Sequence, residues 1–349
     1  AELAAAALSL FVEKGFAATR LDEVAARAGV SKGTLYLYFD SKEALFEAVI
    51  REGIIVQMGA SGSFQPTTAA TIIDLTGKTI VPGLWDMHAH FEQAEWGPAY
   101  LGAGVTTVRD CGNEFVYINA IQRSIERKEG IGPTIIKAGI IDGPGPKGLG
   151  IIRASNEAEA KAAVQLYKDN GFAQIKIYSS VKPEIVKAIC TEAHRLGLTV
   201  TGHIPEGMNL RQGVDSGMDQ INHIQYVTQL IKKAKDGTVN WQDSSNIAVL
   251  QFLKEHKTVI DPTIGVFEMI FKSVDDDIHI LEPRFEELPI ASQEIFKHIG
   301  MPDKQAKLYA NHFVNMKKLV KVLFDNGIPV IAVVGKKEVM NNREMSWLR

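Results

Sequence analysis

Short apolar segments alternate with helical stretches across most of this 349-residue chain, and that alternation constrains the fold more than any other feature. Eight such segments occur, at 79–87, 105–108, 134–141, 174–178, 198–202, 218–222, 257–261 and 328–332. Helical patterns separate most of them, at 158–170, 183–196, 247–256 and 303–326. Strands that alternate with helices over roughly 250 residues are typical of a parallel (β/α)₈ barrel. We therefore predict an α/β fold in which residues 79–332 form a TIM-like barrel.

Four histidines stand where predicted strands end. His88 and His90 follow the first strand two residues apart, a spacing that puts both rings on one face of a strand. His203 closes the fifth strand and His223 closes the sixth. Polar residues at these strand ends are typical of the active site in such barrels, and neutral imidazoles are good ligands for zinc and similar ions. Each histidine alone could be a satisfied polar residue, but together they predict a metal site.

Lys176 lies in the middle of the fourth predicted strand, between Ile175 and Ile177. The two isoleucines are predicted to face the helices, so the lysine side chain points into the barrel. A buried ammonium group is costly unless it is paired. One interpretation is an ion pair with Asp86 or Asp110. The other is a neutral amine of lowered pKa, which can take up carbon dioxide and become a carbamate that bridges two metal ions.

Residues 1–52 have a different pattern, in which short helices are joined by tight turns. Thr19 is predicted to cap a helix that runs to residue 28, and Ser31 is predicted to cap a second helix over 32–38. Two helices joined by a short turn that contains glycine form the helix-turn-helix pattern. A further helix is predicted over 42–51.

The segment LDEVAARAGVSKGTLYLYFDSKEALFEAVI, residues 21–50, resembles the DNA-binding domain of TetR-type repressors. The resemblance implies that 32–38 is a recognition helix in the major groove. It implies DNA contacts by six residues, three near bases or backbone and three on phosphates: Lys32, Gly33, Thr34, Tyr36, Tyr38 and Lys42. Such repressors dimerise through a large helical domain whose pattern does not follow residue 52. We therefore expect weak, non-specific DNA binding at most.

The motifs PGLWDMHAHF, IKIY, GHIP and INHIQY resemble those of the amidohydrolase superfamily, in particular the branch of imidazolonepropionase-like enzymes and metal-dependent Xaa-Pro dipeptidases. The resemblance runs from about residue 53 to residue 332. It implies two divalent metal ions, expected to be zinc, held by five side chains: His88, His90, carboxylated Lys176, His203 and His223. It also implies hydrolysis of a C–N bond in a small amide or dipeptide, with the metals lowering the pKa of the attacking water.

Two further residues enter the predicted site through the same resemblance. Tyr178 is predicted to contact substrate and joins Lys176 in the catalytic set. For Arg109 two roles stay open: it could bind a substrate carboxylate, or it could form a structural ion pair with Asp110.

The resemblance breaks after the eighth predicted strand. The superfamily has an aspartate there, usually in a motif like GTDA, which binds metal and moves protons. This chain has VVGKK at 333–337 and no later aspartate. Because loss of a positioned general acid/base costs roughly 10²–10⁴-fold in rate, we expect an impaired hydrolase.

The patterns predict four segments: a helix-turn-helix at 1–52, a remnant of the superfamily's small β-sandwich at 53–78, a barrel incomplete at its C-terminus at 79–332, and an unassigned tail at 333–349. The abrupt changes of pattern near residues 52 and 332 indicate a chimera. Three functions stay open: an impaired amidohydrolase, a DNA-binding transcriptional regulator with a degenerate barrel, and an inactive fusion product.

Composition adds only broad limits. Hydrophobic residues make up 46% of the chain and charged residues 23%, with a net charge of −3, which is typical of globular proteins. Cys111 and Cys190 are too few for a disulfide framework and are predicted to be small buried side chains. No apolar run reaches the length of a membrane span and no secretory leader is recognisable, so we expect a cytoplasmic protein without membrane contact.

Overall fold

A computed structural model of the chain describes residues 6, 10, 20–31, 47–51, 54–59, 65, 71–73, 81–283, 285–287 and 290–331. The chain divides into two compact units, Ala1–Pro82 and Gly83–Arg349. Among the described helices, none is both long and apolar enough to cross a membrane. The predicted DNA-contacting residues lie outside the described residues: Lys32, Gly33, Thr34, Tyr36, Tyr38 and Lys42.

The first unit contains the helix that the sequence predicts after residue 19. Helix α1 spans Leu21–Arg27, and it buries Val24 and Ala25. Its N-cap is Arg20 rather than the predicted Thr19, because the Glu23 carboxylate accepts a hydrogen bond from the Arg20 backbone N–H at 3.1 Å. The helix therefore begins one residue later than the side-chain preference of threonine indicates.

The helix predicted over 42–51 is wrong in its second half. Residues Glu47–Arg51 form strand β1, which pairs antiparallel with strand β2, Ile54–Gly59, so that Arg51 lies opposite Ile54. The β-branched residues Val49, Ile50, Ile54 and Ile55 in these two segments favour this pairing. Strand β2 lies within residues 53–78, and the assignment of that range to a sandwich remnant stays a prediction. Residues 71–73, also within the predicted sandwich remnant, are exposed and take no regular secondary structure.

The second unit alternates strands and helices in the predicted order. Its strands are β3 Leu84–Ala89, β4 Val105–Asp110, β5 Thr134–Ile141, β6 Gln174–Ile177, β7 Thr199–Gly202, β8 Gln220–Asn222 and β9 Val259–Asp261. Its helices are α2 Trp96–Gly102, α3 Phe115–Glu126, α4 Glu157–Asp169, α5 Pro183–Arg195, α6 Leu210–Asp215, α7 Gln225–Thr228, α8 Ser244–Glu255, α9 Ile264–Phe271, α10 Ile290–Lys297 and α11 Asp303–Asp325, with 3₁₀ turns at Ile278–Ile280 and Phe285–Glu287.

The strands of this unit follow one another in chain order around a curled parallel sheet. Strands β3 to β7 form five neighbouring strands, and β8 pairs with β9. A backbone hydrogen bond of 3.0 Å from Asp219 N–H to the Val200 carbonyl links the two groups. Val330, in the predicted eighth strand, forms a parallel bridge with Ile260. This arrangement confirms the predicted α/β fold class and the order of its strands.

Helix α4 packs tightly on strand β5 through one aromatic ring. The Tyr167 hydroxyl donates to the Ile140 carbonyl at 2.5 Å, and its ring lies 4.7 Å from the ring of Phe172. Gly139 lies beneath that ring, and a Cβ atom at this position would come within 2.3 Å of it. The glycine is therefore required for the close approach of helix and strand.

We expect Gly139→Ala to lower the free energy of unfolding by about 1–3 kcal/mol, because the added methyl group forces the Tyr167 ring out of its packed position. Gly102→Ala is the matched control, since a Cβ atom there meets no atom within 4 Å. Urea denaturation followed by circular dichroism compares the variants. An equal loss of stability in both would contradict the packing argument.

Candidate metal centre

The structure brings the five predicted metal-binding side chains together at the carboxyl end of the sheet. They follow or lie in strands β3, β6, β7 and β8: His88, His90, Lys176, His203 and His223. The His88 ring centroid lies 5.4 Å from that of His90 and 5.2 Å from that of His223. Lys176 Nζ lies 3.3 Å from His88 Nε2. The side chains are thus close enough to one another to share bound metal ions, although their role as ligands stays a prediction.

His203 and His223 direct one nitrogen each at the same point. Their Nε2 atoms lie 3.0 Å apart. Their Nδ1 atoms lie against hydroxyl groups, at 3.0 Å from Ser179 Oγ and 2.7 Å from Thr263 Oγ1. Partners of this kind orient metal-binding imidazoles in known sites. Two neutral imidazoles whose Nε2 atoms converge would fit one divalent ion between them.

Burial keeps this pair neutral. It lowers the pKa of His203 to about 3, with the Lys176 charge as a second cause. It also lowers the pKa of His223 well below its usual value, and the neighbouring His88 and His203 add to that effect. A neutral imidazole has the lone pair that a metal ligand needs, so both rings are ready for an ion at neutral pH.

The backbone at His223 and Thr263 is strained. Both residues have left-handed conformations, with φ of 71° and 48°. This region is uncommon outside glycine and is an outlier for a β-branched residue such as threonine. It costs on the order of 1–3 kcal/mol at each position and is concentrated at functional sites in known proteins. In these conformations the His223 Nδ1 atom and the Thr263 hydroxyl lie 2.7 Å apart.

His88 and His90 are held in the same manner through their Nδ1 atoms. His90 Nδ1 donates to the Gly112 carbonyl at 2.8 Å. His88 Nδ1 lies 2.7 Å from Asp261 Oδ2, and its backbone N–H donates to Asp86 Oδ1 at 2.9 Å. A proton on Nδ1 leaves the Nε2 lone pair of each ring available, which is the tautomer of an Nε2 metal ligand.

Lys176 is fully buried, and burial lowers the pKa of its amine. The hydrogen-bond partner of Nζ is His88 Nε2 rather than a carboxylate of Asp86 or Asp110. Asp110 instead accepts the backbone N–H groups of Phe91 and Gly112, at 2.7 and 3.1 Å. These contacts favour the neutral amine over the predicted ion pair.

Tyr178 borders the cluster, with its ring centroid 4.4 Å from that of His203 and 5.0 Å from Lys176 Nζ.

Arg109 is buried within the sheet. Its ion-pair partner is Asp261, at 2.9 Å, and not the predicted Asp110. Sequence neighbours point to opposite faces of a strand, which explains the wrong partner. The contacts of Arg109 favour a structural role, and its contact with substrate stays a prediction.

Two residues of the cluster escaped the sequence predictions. Asp261, the last residue of β9, is fully buried, and its Oδ2 contacts His88, Arg109 and Asn222. Cys111 follows β4 and is also fully buried, which raises the pKa of its thiol to about 11. Both stand directly at strand ends, the same signal that identified the histidines, and that signal was sufficient to find them.

Comparisons with known proteins separate the two ends of the chain. Residues 3–49 match the family model of bacterial regulatory proteins, tetR family. The HTH-type transcriptional regulator RutR of Escherichia coli strain K12 is 45% identical over 60 residues, which are 17% of this chain and 28% of RutR. An enamidase of Eubacterium barkeri is 31% identical over 86 residues, 21% of this chain and 22% of the enamidase. The matches span less than a third of either relative.

Solved structures match most of the chain. A Xaa-Pro dipeptidase with methionine bound in its active site superposes with a TM-score of 0.59 and 19% identity, over 87% of this chain and 78% of that chain. Residues 3–49 thus match the tetR family model, and most of the chain has the fold of this dipeptidase. A putative prolidase from Bifidobacterium longum gives a TM-score of 0.60 at 19% identity, over 86% of this chain and 72% of that chain. At such identities the likeness supports the fold, and the combination with the tetR match is consistent with a chimeric origin.

Thr263→Val tests whether Thr263 orients His223. We expect the affinity of the predicted metal centre for zinc to fall by about 10–100-fold, because the hydroxyl 2.7 Å from His223 Nδ1 is lost. Valine keeps the β-branched shape of threonine. Thr258→Val is the matched control, since the buried Thr258 hydroxyl has no hydrogen-bond partner in the described part of the chain. Competition with a chromophoric chelator measures both affinities. Equal affinities in the two variants would show that the hydroxyl does not orient the imidazole.

Proposed function

We propose that the second unit is a metal-dependent hydrolase that acts on the C–N bond of a small amide or dipeptide. The observation that carries this proposal is the convergence of His203 and His223, whose Nε2 atoms lie 3.0 Å apart beside a fully buried lysine. Four imidazoles and an amine that meet in a partly buried space favour a bound cation, because polar groups that lose hydration need compensating partners.

The residues fit two divalent ions, with zinc as the first candidate. His88 and His90 would hold one ion, and His203 and His223 would hold the other. Lys176 would lie between the pairs, because its Nζ lies 3.3 Å from His88 Nε2 and 5.0 Å from the Tyr178 ring, which in turn borders His203. When bound, such ions lower the pKa of a water and polarise a carbonyl oxygen.

The burial of Lys176 supports its proposed role as a carbamate. Only a neutral amine takes up carbon dioxide, and desolvation favours the neutral form of this side chain. The uptake forms an N–C bond and releases one proton, so the product is an anion. That anion would lie among neutral imidazoles and would offer two oxygen ligands.

A cavity lined by aromatic and polar side chains lies beside Phe267, next to His223, and is the proposed place of a small substrate. The cavity has a volume of about 410 Å³, and Phe267, Phe271 and Tyr309 are among its lining residues. Phe267 also lies edge-on to the His223 ring, at 6.4 Å between centroids. Tyr178 borders the histidines on another side and is the proposed second substrate contact. Xaa-Pro dipeptides are the first substrates to test, because a Xaa-Pro dipeptidase shares the fold.

We propose that the rate of this hydrolase is low. The chain has no aspartate after Asp325, so the proton transfer that the superfamily assigns to that position has no equivalent donor there. A reduction of roughly 10²–10⁴-fold is expected from the loss of a general acid/base.

Metal analysis by plasma mass spectrometry, after growth with bicarbonate, tests the proposal. We expect two equivalents of zinc per chain, most of which is lost in Lys176→Ala and partly restored by formate, because a small carboxylate can replace the carbamate. Lys137→Ala is the matched control: Lys137 is also buried, but its Nζ bonds to Asn119 Oδ1 and the Asn170 carbonyl at 2.6 and 3.0 Å. Substoichiometric zinc that does not depend on Lys176 would sink the proposal.

The tetR match favours a second function, DNA binding by residues 3–49. We expect a gel shift of duplex DNA whose affinity falls steeply with salt, and Lys42→Ala should reduce the slope of log affinity against log salt by about 0.9. Lys187→Ala, an exposed lysine of α5, removes the same charge elsewhere and should leave the slope unchanged. A shift that responds equally to both variants would contradict a dedicated DNA surface. Loss of both zinc and DNA binding would favour an inactive fusion product.

A further inference from the structure

A row of aromatic rings leads away from the candidate metal centre. The Phe267 ring lies edge-on to His223, and Phe271, one helical turn further along α9, lies 5.6 Å from Phe267 between centroids. The Phe271 ring is stacked on Tyr309 of α11 at 5.0 Å and lies 5.8 Å from the His312 ring. All of these residues except His223 line the cavity described above. The cavity therefore extends from the metal centre to a further imidazole.

The far end of this row carries a positive charge. Lys233 Nζ lies 3.5 Å from His312 Nδ1, and both side chains line the cavity. Partial burial lowers the pKa of the Lys233 amine, and no carboxylate counteracts this among the described residues. The adjacent Lys232 differs, because its Nζ pairs with Asp243 Oδ2 at 2.8 Å. Within the described part of the chain, the cavity thus ends at a lysine whose charge no carboxylate offsets.

The loop that carries Lys233 is fixed on both sides of that residue. The fully buried Asn246 side chain accepts the Lys232 backbone N–H at 2.7 Å and donates to the Lys232 carbonyl at 3.2 Å. Further along the loop, the Gly237 carbonyl accepts a hydrogen bond of 2.9 Å from Asn315 Nδ2 of α11. These bonds hold the loop against α8 and α11, so the lysine backbone has a defined place at the cavity.

We propose that Lys233 is a subsite for a substrate carboxylate, at the end of the cavity away from the metal centre. An ammonium group has three donors, so Lys233 would keep its contact with His312 Nδ1 and donate to the carboxylate as well. His312 would act as a positioning residue that holds the amine. Phe267 and Phe271 would pack on the apolar part of the substrate. The inference rests on the proposed function, since it places the reacting C–N bond at the metal centre.

The length of the row narrows the substrate class. Two rings, those of Phe267 and Phe271, lie between His223 and His312. In a dipeptide the C-terminal carboxylate is one residue away from the scissile bond, at most about 3.6 Å. The carboxylate at Lys233 would lie farther from that bond. Of the two substrate classes proposed above, the cavity therefore favours an amide that has an apolar body and a carboxylate at its far end.

Hydroxamic acids test this subsite without requiring catalysis, because a hydroxamate binds zinc at one end and its chain can be varied at the other. Calorimetry measures the affinity of the zinc-loaded chain for ω-carboxy hydroxamates of increasing chain length and for their methyl esters. We expect the carboxylate to bind about 3–10-fold more tightly than its ester at a matching chain length, because it gains a charge-assisted hydrogen bond at a partly exposed lysine. This advantage should shrink at high salt.

Lys233→Gln should abolish the advantage of the carboxylate over the ester. Lys235→Gln is the matched control and should keep it, since Lys235 is an exposed lysine of the same loop that does not line the cavity. Equal affinities of carboxylates and esters at every length would overturn the subsite but leave the metal centre standing. An advantage that survives Lys233→Gln would overturn it as well. Failure of every hydroxamate to bind the zinc-loaded chain would overturn both the subsite and the proposed metal centre.

Discussion

A single buried guanidinium ties the interior of the curled sheet together. Arg109 of β4 donates to the Met87 carbonyl of β3 at 2.6 Å, to Gln174 of β6 at 3.0 Å and to Asp261 of β9 at 2.9 Å. Because a guanidinium presents its donors in a fixed planar fork, these strands are fixed relative to one another. Asp261 then contacts His88 with the same oxygen. The position of the first histidine thus depends on an ion pair that lies beneath it.

The strands and most of the candidate site could be predicted from the sequence. The alternation of strands and helices places His88, His203 and His223 at strand ends, and the isoleucines beside Lys176 orient it inward. These inferences succeed because they use only local periodicity and the common geometry of parallel strands. The fold then brings the ends together.

Partners distant in sequence could not be predicted in this way. The sequence suggests Asp110 as one possible ion-pair partner of Arg109 because the two are adjacent. The actual partner, Asp261, is 152 residues away. The helix predicted up to residue 51 failed for a related reason. Residues 47–49 belong to the tetR match and also to strand β1, so pairing with β2 overrides a local preference for helix. The contacts of Asp261 with His88 and Arg109 are likewise visible only when β3, β4 and β9 are assembled.

Three of the candidate ligands are held by a residue of the neighbouring strand rather than of their own. Through its Nδ1 atom, His90 contacts Gly112 after β4, His203 contacts Ser179 after β6, and His223 contacts Thr263 after β9. In these three cases the ligand and the residue that holds it form a pair across adjacent strand ends. Loops grafted onto this scaffold to change its specificity should begin beyond these holding residues, because an insertion before one of them would loosen an imidazole on the neighbouring strand.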